Sequence, residues 1–142
     1  MQRNGTARWE GDLKHGKGTV RFGSGAFEGT YSFATRFGDT PGTNPEEMIG
    51  AAHAACFSMA FSAGLSGAGH IPTSVETKAT VTIESKDGGF AITGIALDCR
   101  ATVPGISRAD LERIAGEAKA GCPVSKALAA VPITLQLTGP TP

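Results

Sequence analysis

Residues 44–61 form an apolar stretch that constrains the fold more than any other part of the chain. The stretch begins as a helix does, since the Asn44 side chain can cap the first turn and Pro45 suits the first helical position. Two glutamates then face the positive end of the helix dipole. Between residues 50 and 61 the helix is apolar on every side, interrupted by one histidine and one serine. Such a helix is normally buried all round. Because 142 residues can hardly enclose it, we expect a partner subunit.

The charge balance and the chain start exclude several function classes. The 13 basic and 13 acidic side chains cancel, which argues against a nucleic-acid surface or a polybasic membrane anchor. The first residues lack the apolar core of a signal peptide, and the apolar run in the central helix is too short to predict a bilayer span. Three cysteines without such a signal indicate reduced thiols in the cytoplasm. We expect one domain, residues 1–142, with no nucleic-acid or membrane partner.

The periodicity predicts strands before and after the central helix. Alternating residues between glycine turns predict a meander of three strands at 6–10, 17–22 and 26–33. After the helix, two alternating runs around the turn at 87–89 predict a long hairpin with one buried face, and the alternation slips at Gly94-Ile95, which indicates a bulge. Helices are predicted at 108–120, with Ser107 as its cap, and at 124–129, followed by a strand near 133–137. The order βββ-α-ββ-αα-β indicates an α+β fold, in which we expect antiparallel strands and a long buried central helix.

The three cysteines differ in their predicted surroundings. Cys99 faces the same way as its apolar neighbours in the hairpin, so we expect a small buried hydrophobe. Cys56 lies in the middle of the apolar helix, where a thiolate needs a cation brought to it. Cys122 precedes Pro123 at the start of a helix, where backbone N–H groups and the dipole favour a thiolate. Since a stabilised thiolate is a slower nucleophile but a better leaving group, these features leave open which thiol attacks first.

Other chemistries have weaker support in the sequence. No Cys-x-x-Cys or His-x-x-x-His spacing suggests zinc, and no Gly-x-Ser-x-Gly elbow suggests a serine hydrolase. His53 lies three residues before Cys56 and could act as its base. A hydrogen-bonded histidine in the core or an interface is the favoured interpretation. A thiol-dependent hydrolase or acyl transferase is therefore the weakest alternative, since His53 has no orienting partner in the sequence.

Residues 44–60 (NPEEMIGAAHAACFSMA) closely resemble the signature of the OsmC/Ohr family, the osmotically inducible and organic-hydroperoxide-resistance proteins. The resemblance extends in order over nearly the whole chain, through residues 9–12 (WEGD), 16–20 (GKGTV), 35–37 (TRF), 104–106 (PGI) and 119–125 (KAGCPVS). The histidine before the cysteine, and an arginine ahead of the Asn-Pro-Glu segment, are similar to the OsmC branch.

This resemblance implies an OsmC-like fold, an intertwined homodimer with sites at the subunit interface, and no metal or organic cofactor. By position it implies that Cys56 is the peroxidatic thiol, Cys122 the resolving thiol, Arg36 the cation beside the thiolate and Glu46 the residue that orients Arg36. The implied activity is reduction of organic hydroperoxides, and of hydrogen peroxide more weakly, with a small dithiol or a lipoyl protein as reductant. Apolar walls for the substrate are expected from Phe33, Phe37, Phe57, Met59 or Phe61.

The implied chemistry agrees with the residue types. Arg36 supplies the charge that a thiolate in mid-helix lacks, and a carboxylate can hold its guanidinium fork. Cys56 attacks the peroxide, becomes a sulfenic acid, and forms a disulfide with Cys122. Glu46 lies ten residues before Cys56, roughly 15 Å along a helix at 1.5 Å per residue. We therefore expect Glu46 to act from the other subunit, or only through Arg36.

A second function class keeps the same residues. A redox-sensing or small-molecule-binding module would retain the two thiols and the cleft but turn over poorly. Catalytic consumption of peroxide with a dithiol, rather than one oxidation per subunit, separates the enzyme from the sensor.

Overall fold

The computed structural model describes residues 1–138, which divide into two compact units. The first unit, Met1–Met48, contains a three-stranded antiparallel sheet of β1 (Gly5–Glu10), β2 (Lys17–Phe22) and β3 (Glu28–Ser32) in that order. Gly18 of β2 lies opposite both Trp9 and Tyr31, whose rings are 5.4 Å apart. A Cβ at Gly18 would lie 2.4 Å from the Tyr31 ring, so only glycine allows this aromatic pair to close over the sheet. The predicted meander is confirmed.

The third strand is shorter than predicted because a helix begins at Phe33. Helix α1 (Phe33–Phe37) starts with a capping box, in which Thr35 N donates to Ser32 Oγ at 3.2 Å and Ser32 N donates to Thr35 Oγ1 at 2.8 Å. These reciprocal bonds satisfy the first orphan N–H groups of the helix. The prediction of a strand to residue 33 was wrong, and the element order gains a second helix before the hairpin.

Helix α2 (Pro45–Gly67) begins as predicted, with Glu47 N donating to Asn44 Oδ1 at 2.8 Å. Its burial is one-sided, whereas the sequence predicted burial on all sides. The buried positions recur every three or four residues: Glu46, Gly50, His53, Phe57, Phe61 and Leu65. The opposite face is exposed in the single chain, where the Met59 side chain is 76% accessible. Exposed small residues flank Met59 at Ala51, Ala52, Ala55 and Ala63.

By length and composition α2 is able to cross a membrane, which the sequence analysis did not expect. The core helix of a soluble protein has the same length and composition, so this property is weak evidence for a membrane span. In the second unit, Phe57, Phe61 and Leu65 of α2 are fully inaccessible to solvent and belong to the hydrophobic core.

The second unit comprises the described residues from Ile49 onward and contains a sheet in the order β4-β5-β6. Strands β4 (Ser74–Lys86) and β5 (Gly89–Thr102) form the predicted antiparallel hairpin. Thr82 pairs with Gly94 and Ile83 with Ile92, which leaves Thr93 as the extra residue and confirms a bulge beside Gly94. Strand β6 (Ile133–Thr138) pairs with β5 in parallel. The expectation of antiparallel strands throughout was therefore wrong for β6.

Helices α3 (Arg108–Gly121) and α4 (Pro123–Ala127) form the crossover that a parallel strand pair requires. Ser107 caps α3 as predicted, through a hydrogen bond from Asp110 N. The core of this unit combines the inner face of β5, the apolar stripe of α3 and the buried face of α2. Cys99 is fully buried in this core, as predicted.

Gly50 is a point of close approach between α2 and the sheet, and its replacement tests that packing. A Cβ at Gly50 would lie 2.9 Å from the Ala79 carbonyl oxygen, which belongs to the backbone and cannot swing away. We expect Gly50→Ala to destabilise the fold by about 1–3 kcal/mol, as overpacking does, despite the better helix propensity of alanine.

Gly116 of α3 is the matched control, since nothing lies within 4 Å of its would-be Cβ. Gly116→Ala should stabilise by roughly 0.5–1 kcal/mol through helix propensity alone. Urea unfolding of both variants measures the difference. Equal effects of the same sign would show that α2 does not pack on β4 this closely.

Candidate functional site: a buried dithiol pair

Two free cysteines that lie far apart in the sequence lie side by side in the second unit. Cys122 Sγ lies 3.1 Å from Cys56 Sγ. Cys56 comes from the middle of α2 and is half-buried, whereas Cys122 lies between α3 and α4 and is fully buried. Within residues 1–138, no three His, Cys, Asp or Glu side chains group as metal ligands would. The structure thus places two thiols at hydrogen-bonding distance, with one of them open to solvent.

Cys122 ends one helix and begins the next. Its N–H donates to Ala118 O at 2.8 Å at the end of α3, and its sulfur accepts from Ser125 N at 3.5 Å at the start of α4. Pro123 occupies the first helical position, where its missing N–H costs nothing. The predicted N-cap position of Cys122 is confirmed. Since α4 has only five residues, the hydrogen bonds act on the sulfur more than any dipole does.

The two thiols have pKa values displaced in opposite directions. Burial acts to raise the pKa of Cys122, but hydrogen bonds from Ser125 N–H, from Cys56 and from the Ser125 hydroxyl outweigh it and lower that pKa. Burial, together with its hydrogen bond to Cys122, raises the pKa of Cys56. Because the Cys122 sulfur already accepts from Ser125, the proton shared by the pair belongs on Cys56. In one isolated chain Cys122 is therefore the more acidic thiol, and the accessible Cys56 is the less acidic one.

His53 contacts this pair through Ser125. The two side chains are buried, and His53 Nε2 lies 2.8 Å from Ser125 Oγ. His53 Nδ1 has no hydrogen-bond partner among the residues that the structure describes. This arrangement confirms a hydrogen-bonded core histidine. The sequence analysis did not identify Ser125, although a serine three residues after an N-cap cysteine is a usable signal.

The buried imidazole makes folding stability depend on pH. Burial lowers the pKa of His53 in the folded state. Above the unfolded value, near 6.5, His53 is neutral in both states. Below about pH 6.5 His53 binds a proton in the unfolded chain but not in the folded chain. The free energy of unfolding therefore falls as pH falls toward the folded-state pKa.

We expect a loss of at most about 1.4 kcal/mol per pH unit from His53 in that window. Urea unfolding between about pH 7.5 and pH 5.5 should show a smaller decline for His53→Gln than for the wild type. Parallel declines would mean that His53 becomes protonated without leaving its buried position.

In the first unit, Arg36 and Glu46 form a bidentate ion pair. Arg36 Nη2 donates to Glu46 Oε1 at 2.7 Å, and Nε lies 3.2 Å from each carboxylate oxygen. Glu46 is buried, and the Arg36 side chain is about one-third exposed. The guanidinium carbon also lies 5.1 Å from the centre of the Phe37 ring. Such a fork fixes the orientation of the guanidinium group and leaves Nη1 without a partner among residues 1–138.

A cavity of about 270 Å³ opens in the first unit beside this ion pair. It is mainly apolar in its lining, which is formed by Trp9, Leu13, Tyr31, Ser32, Phe33, Arg36, Phe37 and Pro45. Of the five residues expected as substrate walls, Phe33 and Phe37 line this cavity. Phe57 and Phe61 are fully buried core residues, 5.7 Å apart between ring centres, and Met59 is exposed. The sequence analysis did not identify Trp9 and Tyr31, which the cavity lining adds.

A family model described as OsmC-like protein matches residues 37–136. The chain belongs to the OsmC-like protein family. It is 54% identical over 131 residues to a protein named peroxiredoxin OsmC from Escherichia coli strain K12, and the match covers 92% of each chain. It is 37% identical over 87 residues to the organic hydroperoxide resistance protein of Xanthomonas axonopodis pv. citri, over 61% of this chain and 59% of that protein.

Solved structures of OsmC-like proteins share the fold. The organic hydroperoxide resistance protein OhrB of Bacillus subtilis superposes with a TM-score of 0.78 at 26% identity, covering 97% of this chain and 98% of that one. The OsmC-like protein VCA0330 of Vibrio cholerae has the same TM-score at 15% identity, over 97% and 99% of the two chains, which is a likeness of fold alone. The predicted α+β, OsmC-like fold is confirmed.

Proposed function

We propose that this chain is a thiol-dependent peroxidase that reduces organic hydroperoxides to alcohols, and hydrogen peroxide more weakly. The observation that carries the proposal is the 3.1 Å separation of Cys56 Sγ and Cys122 Sγ. A disulfide needs about 2.05 Å between sulfurs, so the pair can close with a movement of roughly 1 Å. The names of the two relatives, a peroxiredoxin and an organic hydroperoxide resistance protein, support the same chemistry.

In the first step, Cys56 attacks the peroxide, because only its sulfur is accessible while Cys122 is fully covered. The thiolate sulfur bonds to the distal peroxide oxygen, and the O–O bond breaks. The leaving alkoxide takes a proton and departs as the alcohol. Cys56 is oxidised by two electrons to the sulfenic acid, and the peroxide is reduced by the same two.

In the second step, the Cys122 thiolate attacks the sulfur of the Cys56 sulfenic acid. The S–S bond forms, the S–O bond breaks, and the hydroxide leaves as water after gaining a proton. A small dithiol, or a lipoyl group on a protein, then reduces the disulfide by thiol–disulfide exchange and restores both thiols. Because hydrogen bonds lower the pKa of Cys122, its sulfur is also a good leaving group in that exchange.

The raised pKa of Cys56 requires a cation to make it the attacking thiolate, and we assign that role to Arg36. Glu46 binds Nε and Nη2 of the Arg36 guanidinium group, which leaves Nη1 to donate to the thiolate or the peroxide. A donor there stabilises the charge that develops as the O–O bond breaks. The cavity lined by Phe33 and Phe37 suits an alkyl or aryl tail, which favours organic peroxides over hydrogen peroxide.

We further propose a homodimer in which Arg36 and Glu46 of one subunit serve Cys56 of the other. The exposed apolar face of α2, with Met59 at its centre, is the kind of surface that a second copy covers. Glu46 precedes Cys56 by ten residues of one helix, a rise of roughly 15 Å that no glutamate side chain can span.

A redox sensor is the second candidate, because the accessible Cys56 is the thiol with the raised pKa and would react slowly without its cation. Steady-state consumption of cumene hydroperoxide and of hydrogen peroxide, with dihydrolipoamide or dithiothreitol as reductant, separates the two. The peroxidase consumes many equivalents per subunit and prefers the organic substrate. Consumption that stops at one equivalent per subunit would contradict the peroxidase and favour the sensor.

A further inference from the structure

Three buried groups lie next to one another behind the dithiol pair, joined by two hydrogen bonds that meet at Ser125. His53 of α2 contacts the Ser125 hydroxyl of α4 at 2.8 Å, and Ser125 N–H donates to Cys122 Sγ at 3.5 Å. The Ser125 side chain is also among the groups that lower the pKa of Cys122. His53 and Cys122 are fully inaccessible and Ser125 is nearly so. His53 and Ser125 have no part in the chemistry described above, yet they lie on the buried side of the resolving sulfur.

The unpaired ring nitrogen decides which way the hydrogens point. Burial keeps His53 neutral, so one ring nitrogen carries a hydrogen and the other does not. Nδ1 is buried without a hydrogen-bond partner among residues 1–138. Buried N–H groups without an acceptor are rare, whereas acceptors lacking a donor are better tolerated. The hydrogen therefore belongs on Nε2, which donates to Ser125 Oγ. The hydroxyl hydrogen of Ser125 is then free to point at Cys122.

We propose that His53 is a positioning residue for the resolving thiol, holding the Ser125 hydroxyl so that it donates to Cys122 Sγ while that sulfur attacks the Cys56 sulfenic acid. This inference rests on the proposed peroxidase function and deepens it. The step it serves is the one given above: the Cys122 thiolate forms the S–S bond, and the oxygen of Cys56 leaves as water after taking one proton.

The hydrogen bonds from Ser125 matter most after Cys56 has been oxidised to the sulfenic acid. In the reduced pair, Cys122 Sγ shares a hydrogen bond with Cys56 Sγ at 3.1 Å and also accepts from Ser125 N–H. Once Cys56 is a sulfenic acid its S–H donor is gone, and the two Ser125 donors remain to hold the thiolate. Loss of the relay should therefore slow disulfide formation more than it slows the oxidation of Cys56.

Ser125, rather than a charged side chain, is assigned the role of stabilising the Cys122 thiolate. Of the titratable groups of α2, Cys56 contacts Cys122 directly and His53 contacts Ser125. Lys119 of α3 donates instead to Ile133 O at 2.9 Å, and Lys126 of α4 is exposed. Neutral hydrogen-bond donors therefore stabilise the thiolate form of Cys122.

The test uses full-length Ser125→Ala and His53→Leu, with Ser58→Ala as the matched control. Ser58 also loses a hydroxyl hydrogen bond, at 2.7 Å to Thr77, but on a strand-facing part of α2. One equivalent of cumene hydroperoxide is mixed rapidly with each protein. Sulfenic acid is trapped with dimedone, and the disulfide is measured by mass spectrometry over time.

We expect disulfide formation to slow roughly tenfold or more relative to Cys56 oxidation in both variants, the effect of losing a hydrogen bond to a charged group. The double variant should be little slower than either single one, because the two residues act in series. His53→Gln, which keeps an N–H donor, should recover much of the rate. Ser58→Ala should resolve like the wild type. Equal slowing of both steps, or additive losses, would overturn the relay.

A second measurement separates failure of the relay from failure of the proposed function. In a Cys56→Ser background, the thiolate absorbance of Cys122 is followed against pH, which requires no turnover. Adding Ser125→Ala or His53→Leu should move the Cys122 titration to higher pH. An unmoved titration overturns the inference. A wild type that forms no disulfide with peroxide overturns the proposed function, whatever the titration shows.

Discussion

Cys56→Ser is expected to lower the turnover of cumene hydroperoxide by on the order of 10³-fold or more, the scale on which loss of a nucleophile acts. The reason is accessibility, since Cys56 is the member of the thiol pair that solvent reaches. Cys122→Ser should behave differently: each subunit oxidises once, the sulfenic acid persists, and turnover stops without a resolving thiol. The dithiol-dependent peroxidase assay gives both results directly.

Cys99→Ala is the control for these variants. Cys99 is fully buried in the core of the second unit, so its replacement should leave turnover near the wild-type rate at a modest cost in stability. Activity that survives in Cys56→Ser would mean that Cys122 attacks first, contrary to the assignment of the two thiols. Dimedone labelling of Cys122 in that variant would identify the sulfur responsible.

Arg36→Ala is expected to lower kcat/KM for the organic peroxide by roughly 10²–10³-fold, the effect of removing one donor that stabilises developing charge. Arg36→Lys should recover only part of the loss, because a lysine keeps the charge but not the bidentate fork with Glu46. Arg21→Ala is the matched control in the same unit. Its pair with Glu28 is long, at 3.7 Å, and exposed, so activity should not change.

Mixing two inactive chains tests whether the site is shared between subunits. A dimer of one Arg36→Ala chain and one Cys56→Ser chain holds one complete site if Arg36 serves the partner's thiol. Random exchange should then restore up to about a quarter of the wild-type activity, since half of the dimers are mixed and each has one intact site. No recovery in dimers shown to be mixed would place Arg36 and Cys56 of one chain in one site.

Local patterns predicted much of the fold. Alternation over β4 and β5 gave the hairpin and its bulge, and Asn44 and Ser107 marked the starts of α2 and α3. One error concerned a local feature, and the other concerned a tertiary contact. Helix α1 was missed because the apolar alternation of β3 runs into Phe33 and concealed the capping box. The parallel pairing of β6 with β5 is non-local, and no residue of that short strand indicates which strand it pairs with.

The sequence predicted the candidate site to a similar degree. Pro123 after Cys122 predicted the N-cap, which is a local effect. The 3.1 Å contact of Cys56 with Cys122 joins residues that lie 66 positions apart, and only the family resemblance pointed to it. The link from Ser125 to His53 could not be predicted, because it depends on a contact between α4 and α2. The bond from Ser125 N–H to Cys122 is local to the N-cap, and it was overlooked although the sequence contains its signal. The one-sided burial of α2 was likewise hidden, since its composition is apolar on every side.

The most direct test of the dithiol mechanism is peptide mapping after a single oxidation. The reduced protein receives one equivalent of cumene hydroperoxide, free thiols are alkylated, and the digest is analysed by mass spectrometry without reduction. The mechanism requires a Cys56–Cys122 disulfide as the main product, with Cys99 alkylated. A disulfide that includes Cys99 or links two chains, or a Cys56 that passes directly to the sulfinic acid, would contradict it.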